Sequence, residues 1–265
     1  MVSRHDDLHL GEMNLSDAEL DRYARHIVLP EIGGAGQSRL KAARVLVIGA
    51  GGIGSPALQY LAAAGVGTLT VIDDDRVDLS NLQRQTLFGT ADIGESKAVA
   101  AVAAMERINP TIVPGGIGAR LDAENIGDIF DRVRPDAVLD GTDNFQTRLL
   151  VADEALRRRI PLISAAVGQF EGQLGVFRGW EADRPCYRCF VGADPETPGI
   201  NCAEQGVLGA LTGVMGSLAA LEVIRAIAPF GEDSAGKLLL ADMLALRFRT
   251  LTLPKDPGCP ACSIA

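Results

Sequence analysis

The sequence predicts an α/β protein: a mostly parallel sheet flanked by helices, extended by antiparallel strands in the C-terminal half. Three observations predict it. Short β-branched apolar runs alternate with helical segments as far as about Ala166, the pattern of right-handed crossovers. The first run, Val45 to Ile48, ends in a glycine-rich turn, Gly49-Ala50-Gly51-Gly52-Ile53-Gly54, that opens a helix, which makes the fold Rossmann-like. From Gln169 onward the runs alternate apolar and polar, as antiparallel strands with one covered face do.

Taken in order, Ser16-Asp17-Ala18-Glu19 reads as a capped helix start, with a glutamate three residues after the serine. After the glycine turn come a helix over Ala57 to Ala64, a strand over Thr68 to Ile72, a helix over Lys97 to Ile108 and a strand over Thr111 to Val113. A strand over Ala137 to Asp140, a helix over Arg148 to Arg158 and a strand over Leu162 to Ala166 follow. Gln173 to Arg178, Lys237 to Ala241 and Leu246 to Leu253 are the antiparallel strands. Between them, Gly206 to Ala228 is an apolar helix rich in small residues, among them Gly209, Gly213, Gly216 and Ala219; such a composition predicts packing on both sides, one of them a dimer interface.

At 265 residues, 47% hydrophobic and 5% aromatic, the chain suits one large aliphatic core and a single domain. A net charge of -9 argues against general nucleic-acid binding. The start of the chain, with His5, Asp6, Asp7 and Glu12, has no apolar signal core, and no long uninterrupted apolar run predicts a membrane span. The expectation is a cytoplasmic protein.

Glycines without Cβ let a backbone approach a phosphate closely, and Asp73, ending the next strand about twenty residues on, can accept ribose hydroxyls. These features suit a dinucleotide cofactor and ATP equally. The residues after Asp73 separate the two. Ser80, Asn81, Arg84 and Lys97 supply more amide and cationic donors than a nicotinamide cofactor needs, since its two phosphates sit on the first helix. An NAD-dependent oxidoreductase is the competing reading from another class.

Four of the five cysteines form two pairs, Cys186-Tyr187-Arg188-Cys189 and Cys259-Pro260-Ala261-Cys262. Two such knuckles complete a tetrahedral Zn²⁺ site with no open position, hence a structural one. The fifth, Cys202, precedes the apolar helix, where a thiol can have a lowered pKa and serve as a nucleophile, or be an ordinary loop cysteine.

The stretch Gly65 to Asp73, Ser80-Asn81-Leu82-Gln83-Arg84-Gln85, Gly94-Glu95-Ser96-Lys97, Ile108-Asn109-Pro110 and Asp140-Gly141-Thr142-Asp143-Asn144 resembles the MoeB/ThiF/HesA family, bacterial relatives of ubiquitin-activating enzymes. The likeness runs from about Leu15 to Cys262 and implies a nucleotide-binding part over about 16–166, with a carrier-binding and zinc part over about 167–265. It implies adenylation, with ATP and Mg²⁺, of the C-terminal Gly-Gly carboxylate of a small ubiquitin-like sulfur carrier. A MoaD-like carrier of molybdenum cofactor biosynthesis is expected, with a ThiS-like carrier of thiamine thiazole biosynthesis as the alternative.

By the same resemblance, Gly52, Asp73, the run Ser80, Asn81, Leu82, Gln83 and Arg84, then Lys97, Asp143 and Asn144 hold the nucleotide. Asp143 ligates Mg²⁺; Asp140 could do so instead, with Asp143 capping the helix near Phe145. Arg25, in Asp21-Arg22-Tyr23-Ala24-Arg25-His26, resembles an arginine that reaches the triphosphate from a neighbouring subunit, so a homodimer is expected. Some relatives use a cysteine at the place of Cys202 for a covalent carrier adduct and others adenylate without one. No rhodanese-like segment follows Cys262, so the sulfur donor is expected to be a separate protein.

Overall fold

The computed structural model describes residues 15–192 and 206–263. Cys202 lies outside the described residues. Strands β1 (Arg44–Ile48), β2 (Thr68–Ile72), β3 (Val113–Ile117), β4 (Ala137–Asp140) and β5 (Leu162–Gly168) pair in parallel. Strands β6 (Glu171–Phe177), β7 (Lys237–Asp242) and β8 (Arg247–Thr252) continue the same sheet antiparallel. The order is β3-β2-β1-β4-β5-β6-β7-β8. The predicted parallel sheet with an antiparallel extension is therefore one continuous structure.

The helices are α1 (Asp17–Ile27), α2 (Gly33–Ala42), α3 (Gly54–Ala64), α4 (Lys97–Ile108), α5 (Ile126–Val133), α6 (Phe145–Arg158), α7 (Tyr187–Val191) and α8 (Gly209–Ile227). Alternation along the strands builds a core on each face. In β1, Val45 and Val47 join the side covered by α3, α4 and α8, while Leu46 and Ile48 join the side covered by α5, α6 and α7. Both faces being buried explains why β1, β2 and β4 read as unbroken apolar runs. The capping box at α1 forms as expected: Ser16 Oγ accepts from the Glu19 N–H at 3.4 Å, and Glu19 Oε2 accepts from the Ser16 N–H at 2.8 Å.

One expectation is corrected. Strand β3 runs over Val113–Ile117 rather than Thr111 to Val113. Its Pro114, Gly115 and Gly116 hide it from propensity, but as an edge strand bonded to β2 alone it tolerates a proline.

One face of α8 packs on this chain, where Gly216 and Gly209 allow close approach of backbone. A Cβ on Gly216 would lie 2.4 Å from the Ile53 carbonyl oxygen, and one on Gly209 would lie 2.2 Å from that of Gln83. The opposite face is open, with Val214 and Leu221 exposed. By length and composition α8 could also cross a membrane, yet Leu211, Met215, Ala219 and Val223 fill the core under it.

Candidate nucleotide site

The strand order reverses between β1 and β4, where the crossovers leave in opposite directions and a crevice opens beyond the strands' carboxyl ends. A cleft of about 690 Å³ lies there, walled by the glycine turn, the segments after β2, β3 and β4, and the start of α8.

In the glycine turn, Gly49 has φ +88° and Gly54 abuts it: a Cβ on Gly54 would lie 1.9 Å from the Gly49 carbonyl oxygen. The fold itself thus demands these two glycines. Gly51 differs, since a Cβ there meets nothing within 4 Å, and Gly51 and Gly52 face the cleft. The backbone at Gly51 is thus open to the cleft, as close approach of a phosphate would require.

Asp73 accepts the Ala50 N–H at 2.8 Å and the Asp75 N–H at 2.9 Å, one on each oxygen. Burial raises its carboxyl above the usual value, opposed by the charge of Lys97 and by these hydrogen bonds. Lys97 opens α4 with 4% of its surface exposed, and its ammonium meets the exposed carboxylate of Asp75 at 2.8 Å. A buried point charge is thereby presented to the cleft.

The segment after β2 folds back through Asp78, whose Oδ1 accepts from Ser80 N–H at 2.8 Å and Ser80 Oγ at 2.6 Å; these bonds hold its carboxyl below the usual value. Ser80, Asn81, Gln83 and Arg84 line the cleft. Leu82 does not: it packs against the core under the segment. Arg84 Nη1 donates to the Ser80 carbonyl at 3.0 Å. Thr212 of α8 donates to the Gly209 carbonyl at 2.7 Å and to that of Arg84 at 3.4 Å, so α8 braces this wall.

Beyond β4 the two aspartates have distinct surroundings. Asp140 is 1% exposed and saturated, accepting from Thr142 N–H at 3.1 Å, Thr142 Oγ1 at 2.7 Å, Ser164 Oγ at 3.1 Å and Arg148 Nη1 at 3.2 Å. Asn144 caps α6, its Oδ1 accepting from the Thr147 N–H at 3.0 Å. Asp143 is left exposed in the cleft, with neither the cap nor the buried network to serve. Arg148, 6% exposed, ties the loop down by donating also to the carbonyls of Thr142 and Ala165.

Sequence reasoning missed Arg148, Gln85, Arg120 and Thr212, all of which line the cleft. A lone arginine or threonine within a helix carries no signal of what it will face. Arg25 sits exposed on the last turn of α1, outside this cleft.

The cysteine pairs converge at the other end of the chain. Their sulfurs lie 3.8 Å apart for Cys186 and Cys189, 3.6 Å for Cys186 and Cys259, and 3.5 Å for Cys189 and Cys262. Four sulfurs about 2.3 Å from one Zn²⁺ stand about 3.8 Å apart in a tetrahedron, so the cluster fits a zinc site. Burial pushes the Cys186 thiol up and the Cys262 thiol up to about 11. A divalent cation supplies the charge that thiolates need there. Phe190 of α7 stacks with Phe177 and Tyr187 meets the same ring edge to face, which anchors the knuckle to β6.

A model of the ThiF family matches residues 23–261, nearly the whole of this arrangement. The chain belongs to the ThiF family. It is 46% identical over 256 residues to a sulfur carrier protein adenylyltransferase of Thermus thermophilus, covering 94% of this chain and 93% of that one. It is 42% identical over 248 residues to the molybdopterin-synthase adenylyltransferase of Escherichia coli, covering 94% and 98%. Among solved structures, Escherichia coli MccB with ATP matches at TM-score 0.78 and 24% identity, covering 96% of this chain and 76% of that one, a likeness of fold. The ThiF-family chain thus combines the expected fold, glycine turn and cysteine cluster.

Proposed function

We propose that the chain is an adenylyltransferase that binds ATP with Mg²⁺ in this cleft and joins AMP to the C-terminal Gly-Gly carboxylate of a small ubiquitin-like sulfur carrier. The observation that carries the reading is the convergence of buried Lys97, Arg84 and unengaged Asp143 on a cleft whose Gly51 leaves room for phosphates. A nicotinamide cofactor would leave those three side chains without work. The activities for which these relatives are named support the same reaction.

A carboxylate oxygen of the carrier attacks the α-phosphorus, the bond to the β-phosphate oxygen breaks, and its electron pair leaves on pyrophosphate. The carboxylate is already a nucleophile, so no general base is needed. What the chain must do is hold two anions together and offset the charge that develops. Lys97 and Arg84 provide cationic donors for the phosphates, Asp73 accepts from the ribose hydroxyls, and the backbone at Gly52 lies against the nucleotide. Ser80, Asn81, Gln83 and Asn144 add polar groups along the same path. Mg²⁺, held by Asp143, would neutralise phosphate oxygens.

The reading extends to a homodimer in which Arg25 completes the partner's site, one structural Zn²⁺ per chain at the four cysteines, a separate sulfur donor and a cytoplasmic setting. The carrier proposed is MoaD-like, supported by the likeness to a molybdopterin-synthase adenylyltransferase, with a ThiS-like carrier as the second reading. The test is ATP–pyrophosphate exchange with each purified carrier. Exchange dependent on a carrier with an intact Gly-Gly end supports the reading and names the carrier; none with either overturns it.

A further inference from the structure

A directed chain of side-chain hydrogen bonds decides which end of the Asn81 amide faces the cleft. It starts at Asp78, whose carboxylate can only accept. Ser80 Oγ gives its single proton to Asp78 Oδ1 at 2.6 Å. Toward Asn81 it can then only accept, and it does so from Nδ2 at 3.3 Å. That turns Asn81 Oδ1 to the other side, where Gln85 Nε2 donates to it at 2.7 Å. Nδ2 carries two hydrogens, and Ser80 engages one. The second remains for the cleft, which Asn81 lines.

The far end of the chain is unfavourable. Gln85 is 3% exposed, and its Oε1 has no hydrogen-bond partner. A buried acceptor without a donor destabilises a fold, whereas an apolar side chain of like size would not. Packing alone therefore gives no reason for glutamine at 85. Its Nε2 does give one.

We propose that Gln85 is a positioning residue that locks Asn81 with its amide N–H₂ toward the cleft, as a hydrogen-bond donor to a phosphate oxygen of the nucleotide. Reversed, the amide would set its carbonyl oxygen against the phosphate, acceptor against acceptor. The proposal rests on the reading of the cleft as an ATP site.

The test compares Gln85→Met, Asn81→Ala and the double variant in the full chain, by calorimetric titration with ATP and Mg²⁺ and by thermal unfolding without nucleotide. Gln85→Met should weaken ATP about tenfold, the usual worth of a hydrogen bond to a charged oxygen, while the melting temperature holds or rises because the orphaned oxygen is gone. In the Asn81→Ala background the same substitution should change affinity by less than about twofold, since the two act as a unit. Gln85→Glu is an independent arm: a carboxylate can only accept, so Asn81 must turn Nδ2 toward it, and ATP should bind more weakly than to Gln85→Met. Wild-type affinity in Gln85→Met, or full additivity with Asn81→Ala, overturns the positioning role. Failure of the wild-type chain to bind ATP at all would instead overturn the reading of the cleft.

Discussion

Alanine at Gly51 and at Gly54 should have opposite consequences, although the residues stand three apart in one turn. At Gly54 the new Cβ would sit 1.9 Å from the Gly49 carbonyl oxygen, about 1.5 Å short of ordinary contact. Both sides of that clash are backbone, so the turn itself must move. Overpacking of this kind costs about 1–3 kcal/mol, and rigid neighbours place it at the upper end. About 3 kcal/mol in a domain of this size corresponds to a loss of roughly 6–12 °C in melting temperature. At Gly51 nothing lies within 4 Å and the backbone is outside the left-handed region, so alanine should be neutral or should stabilise by about 0.4–1 kcal/mol through the unfolded chain. On the reading of the cleft as an ATP site, its methyl group instead fills the space where phosphates would approach the backbone. Loss of such hydrogen bonds to charged oxygens, about 1.5–3 kcal/mol, weakens ATP roughly ten- to hundredfold. Thermal unfolding without nucleotide and calorimetric titration with ATP separate the two effects. Wild-type ATP affinity in Gly51→Ala, or destabilisation equal to that of Gly54→Ala, would refute the reasoning.

Elemental analysis should find one Zn²⁺ per chain, lost on Cys189→Ala and retained on Cys202→Ala, and chelation should lower the melting temperature before it slows adenylation; metal-free protein purified without chelator would contradict this. Light scattering should show a homodimer, and mixing inactive Arg25→Ala with inactive Lys97→Ala subunits should restore part of the activity, because one composite site then has both cations. No rescue after verified subunit exchange would remove Arg25 from the site. Glu19 is held below its ordinary value of 4.5, first by the hydrogen bond from Lys41 and next by that from the Ser16 N–H. Its contribution to docking α1 is therefore complete above pH 4.5 and is lost as pH falls through the lowered value. Acid unfolding curves of wild type and Glu19→Gln should converge below that range and diverge above it; a gap that persists in acid would show that the charge is not the cause.

The strands β1, β2, β4 and β5, the glycine turn, the acidic strand end at Asp73 and the paired cysteines were legible because each rests on local chemistry. Apolar runs mark strands buried on both faces, and two knuckles of fixed spacing mark a metal. Helices α2, α5 and α7 were not read, nor was β3 in its true place: Pro114, Gly115 and Gly116 are poor strand formers, and the segment exists as a strand because β2 offers it an edge. Leu82 shows the same limit within a motif, since spacing alone cannot say which residues of an irregular turn face inward.

By itself the sequence determined the fold class, the nucleotide chemistry and the cysteine cluster, because these follow from periodicity, residue type and short spacings. Only the tertiary structure gave Asp140 and Asp143 their different surroundings, burying one under Arg148, Ser164 and Thr142 while leaving the other exposed in the cleft. It alone turned the small residues of α8 toward Ile53 and Gln83 and brought Thr212 to Arg84 across 128 residues of chain. Contacts of that kind depend on which surfaces meet after the sheet has closed, and no local pattern along the chain encodes them.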